Sequence, residues 1–215
     1  MADTKDAVKQ KILSTMNMHK ALQFLLLGLL WLIFVIPLLT AGAATCSVYY
    51  VGVKILNDDK DIKVAKLFFK GLKENFVQGL LMSLVSVLTL GGSGALTAWA
   101  VLSEQGLVFI LIGAGLAFVS FIVNAYAYPI IGRYKNTFGN ILKNSIALIF
   151  TYLQDAIRLT FILAFLIIID VILFRLNLIA GIVSLLFWPS VIFYFISFFL
   201  TSIFYKIEHP VKYDD

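Results

Sequence analysis

Charged side chains are confined to short stretches of this chain, and the stretches between them are long and apolar. Residues 21–53, 75–103, 105–132 and 176–205 contain no charged side chain, and residues 159–174 contain one, Asp170. About 20 helical residues cross a hydrocarbon layer of ~30 Å, so the four uncharged stretches can each span a membrane, and we expect the fifth to do so as well. Backbone amides in lipid need hydrogen bonds within their own segment, and no stretch alternates like a barrel strand. The pattern therefore predicts an all-α, polytopic transmembrane helix bundle with five to six membrane-embedded helices.

The first uncharged stretch is too long for one upright helix, because its 33 residues would extend about 50 Å. Pro37 removes a helix hydrogen bond, and Thr40 and Gly42 follow it closely. A turn at these residues predicts a hairpin made of two helices, at residues 21–39 and 44–56. The second helix is short enough to be re-entrant rather than fully spanning.

The basic residues test this hairpin, because Lys and Arg in short loops favour the cytoplasmic side of a membrane. With the hairpin, 16 of the 17 basic residues lie on one side and only Arg175 lies on the other. With a single crossing, the division is 12 against 5. The hairpin is therefore preferred, and both termini are expected in the cytoplasm. A signal peptide ending at Ala41-Gly42-Ala43 is the competing interpretation, but the apolar stretch is longer than the roughly 7–15 residues of the apolar region in such a peptide, and four further apolar stretches would remain after cleavage.

We expect one transmembrane domain over the whole chain. Its order is a cytoplasmic N-terminus (1–20), the helical hairpin (21–56), a basic interfacial helix (57–75), four further spans (76–205) and a cytoplasmic tail (206–215).

The basic segment after the hairpin predicts an amphipathic helix. At 100° per residue, one face carries Lys63, Lys66, Lys70 and Lys73, and the opposite face carries Ile62, Ala65, Phe69, Leu72 and Phe76. Two functions fit this pattern. Either the helix lies in the cytoplasmic interface against anionic lipid headgroups, or it is a docking face for a partner, extended by Asn75 and Gln78.

Two polar residues inside apolar stretches are candidate functional residues. Asn124 lies near the middle of its span, where an amide bonds to a neighbouring helix or lines a path. Asp170 lies five residues before Arg175. We expect it either to pair with that residue near the outer interface or to line a pathway.

The amino-acid composition excludes most catalytic and metal-binding functions. The chain is 61% hydrophobic and 13% charged, which leaves too little polar surface for a water-soluble enzyme. One Cys and two His, spread along the chain, form neither a disulfide nor a metal-ligand cluster, and no catalytic arrangement can be assembled. We therefore expect a non-enzymatic protein without a cofactor or a metal. Topology explains the net charge of +5, so nucleic acid is not an expected partner.

An ordered series of short motifs resembles a known family. The series comprises Leu30-Trp31-Leu32, Ile36-Pro37-Leu38-Leu39-Thr40-Ala41-Gly42, Tyr49-Tyr50, Phe68-Phe69-Lys70, Lys73-Glu74-Asn75-Phe76-Val77-Gln78, Tyr128-Pro129 and Arg133-Tyr134. It is similar to the YesL family, bacterial multi-spanning membrane proteins catalogued as a domain of unknown function. The resemblance implies a bacterial plasma membrane. Because members are often encoded beside ABC-type carbohydrate importers, it also implies an accessory role in sugar uptake.

Two functions are compatible with these features. The first is an accessory component of a carbohydrate ABC importer, docking on importer subunits through its lipid-facing helices and the basic helix. The alternative is a small-molecule transporter or channel in its own right, with Asn124 and Asp170 lining the path. A transporter needs several polar side chains that converge near the bilayer midplane, often beside a broken helix. In the sequence only Pro37 and Asn124 meet that description, so the accessory role is preferred and the oligomeric state is left open.

Overall fold

The computed structural model describes residues 18–57 and 62–208, and in these ranges the chain is helical and contains no strand. The helices are α1 (Met18–Val35), α2 (Leu38–Leu56), α3 (Val64–Glu74), α4 (Phe76–Ser86), α5 (Gly92–Leu102), α6 (Leu107–Arg133), α7 (Phe138–Thr151), α8 (Leu153–Leu176) and α9 (Leu178–Glu208). A π-helical turn, Val87–Gly91, joins α4 to α5 in one continuous rod, Phe76–Leu102. The predicted all-α bundle is confirmed. The predicted structure of residues 1–17, 58–61 and 209–215 lies outside the described residues.

Six helices in the described ranges are long and apolar enough to cross a membrane. They are Met18–Val35, Leu39–Leu56, Phe76–Leu102, Leu107–Arg133, Leu153–Leu176 and Leu178–Thr201. This agrees with the predicted upper number of membrane-embedded helices, and the protein is a multi-pass membrane protein. The remaining helices, α3 and α7, are shorter and carry exposed Lys side chains.

The first two helices form the predicted antiparallel hairpin, with a tighter turn than expected. Only Ile36 and Pro37 lie between α1 and α2. Pro37 has φ −75° and ψ 103°, an extended conformation that ends one helix and precedes the next. Across the hairpin, Trp31 Nε1 donates a hydrogen bond to Thr45 Oγ1 at 2.9 Å. The chain therefore doubles back at the predicted proline.

The second helix begins six residues earlier than the predicted start at residue 44. The Thr40 hydroxyl lies within hydrogen-bond distance of the carbonyl oxygens of Phe34 and Pro37, the latter at 2.9 Å. The hydroxyl has one proton, which can satisfy the Phe34 carbonyl that the end of α1 leaves unpaired, while the Pro37 carbonyl accepts the Thr40 backbone N–H at 2.8 Å. The backbone therefore becomes helical again at once. Gly42 lies inside α2 as a packing residue rather than in the turn. As a result α2 has 19 residues, a length of about 28 Å.

Helix α2 is the centre of the bundle and packs against α1, α3, α4, α6 and α9. Its residues Cys46, Val48 and Val51 have no exposed surface. Small residues let neighbouring backbones approach α2 closely, which is how helices gain packing energy in lipid. These close contacts pair Gly71 with Ser47, Gly79 with Gly42 and Ala43, Gly132 with Cys46, and Gly52 with Ser197.

The hairpin turn lies in the half of the molecule where α4 begins. Gly42, five residues after Pro37, contacts Gly79 in the first turn of α4. The ring centre of Phe34 lies 5.4 Å from that of Phe69 in α3. Because the rod Phe76–Leu102 is about 40 Å long, its far end is roughly 20 Å or more from the turn. The hairpin thus turns back before it reaches the far end of the bundle, as a re-entrant segment does.

The far half of the molecule consists of two helical hairpins that pack mainly within themselves. In the first, α5 packs against α6, and Gly113 contacts Thr97. In the second, α8 packs against α9, and Gly181 contacts Phe174. We call them the α5–α6 arm and the α8–α9 arm. A cleft between the arms is lined by residues of both arms and by Tyr49 of α2.

Candidate functional site

Three polar side chains, Ser86, Asn124 and Tyr128, meet at the base of this cleft and are called the polar cluster below. Ser86 Oγ is in hydrogen-bond contact with Asn124 Oδ1 and lies 2.9 Å from the Tyr128 hydroxyl. Asn124 Nδ2 donates to the carbonyl of Ser120 at 2.7 Å, which turns the amide oxygen toward Ser86. Residues 120, 124 and 128 are four apart and therefore share one face of α6.

Ser86 has one hydroxyl proton but lies within hydrogen-bond distance of more than one acceptor. Either hydroxyl can be the donor between Ser86 and Tyr128, and when Tyr128 donates, the single Ser86 proton can reach either Asn124 Oδ1 or the carbonyl of Met82, 2.7 Å away. When that proton bonds to Met82, the Asn124 oxygen is left as an acceptor. A hydroxyl group arriving from the cleft can then donate to this oxygen and accept from the second N–H of the same amide.

The polar cluster forms one wall of a cavity of about 270 Å³, called the upper cavity here. Tyr49 from α2 closes one side of it. Its other walls are apolar and come from both arms and the core: Leu90, Phe121, Ala125, Leu163, Ile192 and Ile196. Leu90 belongs to the π-helical turn, which begins directly after Ser86. Such turns occur often at functional sites, and here the turn adjoins the polar cluster.

A second cavity of about 220 Å³, the lower cavity, lies on the other side of Tyr49. Its lining includes Asn57 and two cationic side chains, Lys54 and Arg133. Lys54 Nζ lies 5.3 Å from the ring centre of Tyr50, and the Arg133 guanidinium lies over an aromatic ring of α9. Both cations stand in the last turn of a helix, where they complement its dipole. The lining of the lower cavity thus includes two cationic side chains, whereas none of the described residues that line the upper cavity is charged.

The basic helix α3 presents its predicted lysines to the surface but buries a different face from the predicted one. Lys63, Lys66, Lys70 and Lys73 are all exposed. The buried residues are Val64, Phe68 and Gly71, whereas Ala65, Phe69 and Phe76 of the predicted apolar face are exposed. The contact of Gly71 with Ser47 sets this rotation. Only Ile62 and Leu72 of the predicted face pack against the core.

Asn75 and Gln78, the two other predicted docking residues, form bonds within the protein. Asn75 Nδ2 donates to the carbonyl of Gly71 at 3.0 Å, at the junction of α3 and α4. Gln78 Nε2 donates to the carbonyl of Asn136, which ties the start of α4 to the segment between α6 and α7. Both therefore help to hold the basic helix in place.

Asp170 does not form the predicted ion pair with Arg175. Its carboxylate accepts a hydrogen bond from the hydroxyl of Ser184, within the α8–α9 arm, and Arg175 is exposed. Residues five apart point about 140° apart around a helix, which separates the two side chains. Asp170 is also absent from the lining of both cavities, so the structure does not bring it together with Asn124.

The sequence analysis missed Ser86, Tyr128 and Tyr49 as site residues. The signal for Tyr128 was its spacing of four from Asn124, which places both on one helix face. Ser86 lies 38 residues from Asn124, and nothing local in the sequence links the two. Within the described ranges, no group of three or more His, Cys, Asp or Glu residues is arranged to hold a metal ion.

Residues 24–92 match the family model described as "Protein of unknown function, DUF624". The matched segment runs from α1 through the basic helix to the start of α5 and includes Pro37, Thr40, Gly42 and Ser86. It ends before α6, which carries Asn124 and Tyr128. None of the curated proteins and none of the solved structures with which the chain was compared matches it.

Proposed function

We propose that this protein is a non-enzymatic transporter or channel for small molecules. The observation that supports this function is the polar cluster at the cavity between the arms, next to the π-helical turn. From the sequence this function was the alternative, because Asn124 was the one polar residue expected near the middle of a span. With Ser86 and Tyr128 beside it, the arrangement of converging polar groups at a helix irregularity is present.

A purely structural role for these side chains is the main competing explanation. An interhelical hydrogen bond in a membrane protein contributes about 1 kcal/mol, which would justify a polar pair in a tightly packed interface. Here the polar cluster faces a cavity large enough for a small solute instead of packed side chains. A polar wall on an otherwise apolar cavity is the usual form of a small-molecule site.

The proposal is tested with purified protein in liposomes, using osmotic swelling in a series of neutral polyols from glycerol to sorbitol. We expect wild-type liposomes to swell faster than protein-free liposomes, and Asn124→Leu to lower the added permeability about tenfold. The matched control is Asn144→Leu, the same change at an exposed position of α7, which should swell like wild type. If wild-type liposomes are as tight as protein-free ones for every solute, and remain so with the cavity-opening variants described below, the proposal is wrong.

A second function is favoured by the exposed lysine face of α3. Together with the resemblance to the YesL family, this face supports an accessory role in carbohydrate uptake at a bacterial plasma membrane. The lysines would contact anionic lipid headgroups or a subunit of an ABC importer, with both termini in the cytoplasm. Charge complementarity would guide either contact.

The accessory role is tested by changing Lys63, Lys66, Lys70 and Lys73 together to Glu and measuring partner recovery from detergent extracts. Loss of a co-purified importer subunit supports the role. Lys143→Glu on α7 is the control, because this lysine is exposed on the other short helix. Equal recovery with both variants would reject docking through α3.

A further inference from the structure

We propose that Tyr49 is the gate of a single path that runs through the upper and lower cavities. This inference rests on the proposed transport function and adds the closing element and the class of solute. Tyr49 is the residue that lies in the walls of both cavities.

The two cavities follow one another along the same pair of helices. On α6, residues 121–128 contribute to the upper cavity and residues 129–133 to the lower one. On α9, the corresponding residues are 192–196 and 197–204. The cavities therefore occupy consecutive helical turns, and the Tyr49 side chain lies at the boundary between them.

The Tyr49 ring is packed in the core at the boundary between the two cavities. It is 5% exposed and forms an edge-to-face pair with Phe193, with ring centres 5.7 Å apart at 88°. This is a preferred geometry for two aromatic rings, and it fixes the Tyr49 ring between the cavities. Helix irregularities lie nearby, the π-helical turn beside the upper cavity and Pro189 within α9. Helices bend at such positions, which would give the ring room to move.

The lining of the upper cavity points to uncharged, hydroxyl-bearing solutes. Its described residues offer an amide and hydroxyls but no charge, so an anion or a cation would lose its hydration there without a counter-charge. A neutral polyol has no charge to desolvate. Its hydroxyls can bond to Asn124, and its carbon skeleton can pack on the rings of Tyr49 and Phe121.

The first test compares Tyr49→Ala, Tyr49→Leu and Tyr49→Phe in liposome swelling with neutral polyols. Removing the ring should raise permeability at least fivefold in the Ala and Leu variants, whereas Phe keeps the ring and should behave like wild type. Tyr194→Ala is the matched control, because Tyr194 is a partly buried tyrosine outside both linings. Adding Ala125→Phe to Tyr49→Ala should fill the upper cavity and return permeability to the wild-type value.

The second test does not depend on solute flux. In a Cys46→Ala background, Val53→Cys places one thiol in the lower cavity. A membrane-impermeant thiol reagent added on the side of the loop before α6 should label this thiol when Tyr49 is Ala and should not label it when Tyr49 is present. The two variants, Ala and Leu, guard against loss of folding in either one.

The two tests distinguish failure of the proposed gate from failure of the proposed transport function. If wild-type liposomes pass polyols and the Ala and Leu variants pass no more, Tyr49 is not the gate and the transport function stands. If no variant passes any solute and Val53→Cys stays unlabelled throughout, both the gate and the transport function are rejected. Faster swelling together with labelling in the Ala and Leu variants, but not in Tyr49→Phe or Tyr194→Ala, supports both.

Discussion

Replacing Gly79 with Ala tests the close approach of α4 to the central helix. A Cβ atom on Gly79 would lie 2.5 Å from the amide nitrogen of Ala43 and 2.7 Å from its Cα. Both are backbone atoms, so no side chain can rotate away to make room. The two helices would have to separate by about 1 Å to restore ordinary contact distances, and a gap of that size forfeits up to half of the dispersion energy at the interface.

The expected cost follows from two opposing contributions. Overpacking a well-packed interface costs about 1–3 kcal/mol, and the better helix propensity of Ala returns up to about 1 kcal/mol. The matched control is Gly94→Ala in α5, where a Cβ would meet nothing within 4 Å. At that position the Ala contributes only its better helix propensity, without an overpacking cost. The propensity gain cancels between the two variants, so we expect Gly79→Ala to be less stable than Gly94→Ala by about 1–3 kcal/mol, or roughly 2–12 °C in melting temperature for a chain of this size.

The chain contains its own reporter for this measurement. Cys46 is its single cysteine, and the side chain has no exposed surface in the folded protein. A maleimide dye that fluoresces on reaction with a thiol will therefore report unfolding as the detergent-solubilised protein is heated. If Gly79→Ala and Gly94→Ala melt together, the close helix contact does not carry the stability assigned to it.

Three further predictions concern other parts of the fold. Trp31→Phe removes the hydrogen bond to Thr45 across the hairpin and should lower the free energy of unfolding by about 1 kcal/mol; an unchanged melting curve would contradict the contact. Gly106 has φ +88° and ψ 160° with open space around it, so Gly106→Ala should cost about 1–3 kcal/mol through backbone strain alone, and a neutral result would exclude that conformation. Cysteines placed at Glu104 and Lys63 in a Cys46→Ala background should be labelled from opposite sides of the membrane, with Glu104→Cys reactive from outside; labelling of both from the same side would reject the topology.

The features of the fold that depend on the contrast between lipid and water could be predicted from the sequence. Lengths of uncharged sequence and the placement of lysines identify the spans and the doubling back at Pro37, because lipid and water impose those patterns on any chain. The start of α2 was predicted wrongly because the Thr40 hydroxyl can pair with the end of α1 while its backbone N–H pairs with Pro37, which allows a two-residue turn. The buried face of α3 was wrong because the fit of Gly71 against Ser47 overrides the average amphipathic direction.

The candidate site was only partly predictable for a related reason. An isolated Asn in an apolar helix is conspicuous, so Asn124 was found. Its partner Ser86 is one of several serines in apolar helices, and only the tertiary packing of α4 on α6 selects it. Asp170 was conspicuous too, but its partner was predicted wrongly. Arg175 is close to it in sequence, whereas the side chain that bonds to it is Ser184 on the next helix.

The central position of α2 sets an order of events for synthesis of the protein. This helix is made well before α9, yet Gly52 on it and Gly28 on the preceding helix receive Ser197 and Ser190 from α9. Until α9 is made, those glycine surfaces lack these neighbours. A nascent chain that stops before residue 190 would therefore keep a notch of small residues facing the bilayer, which membrane chaperones and proteases could recognise as the mark of an unfinished molecule.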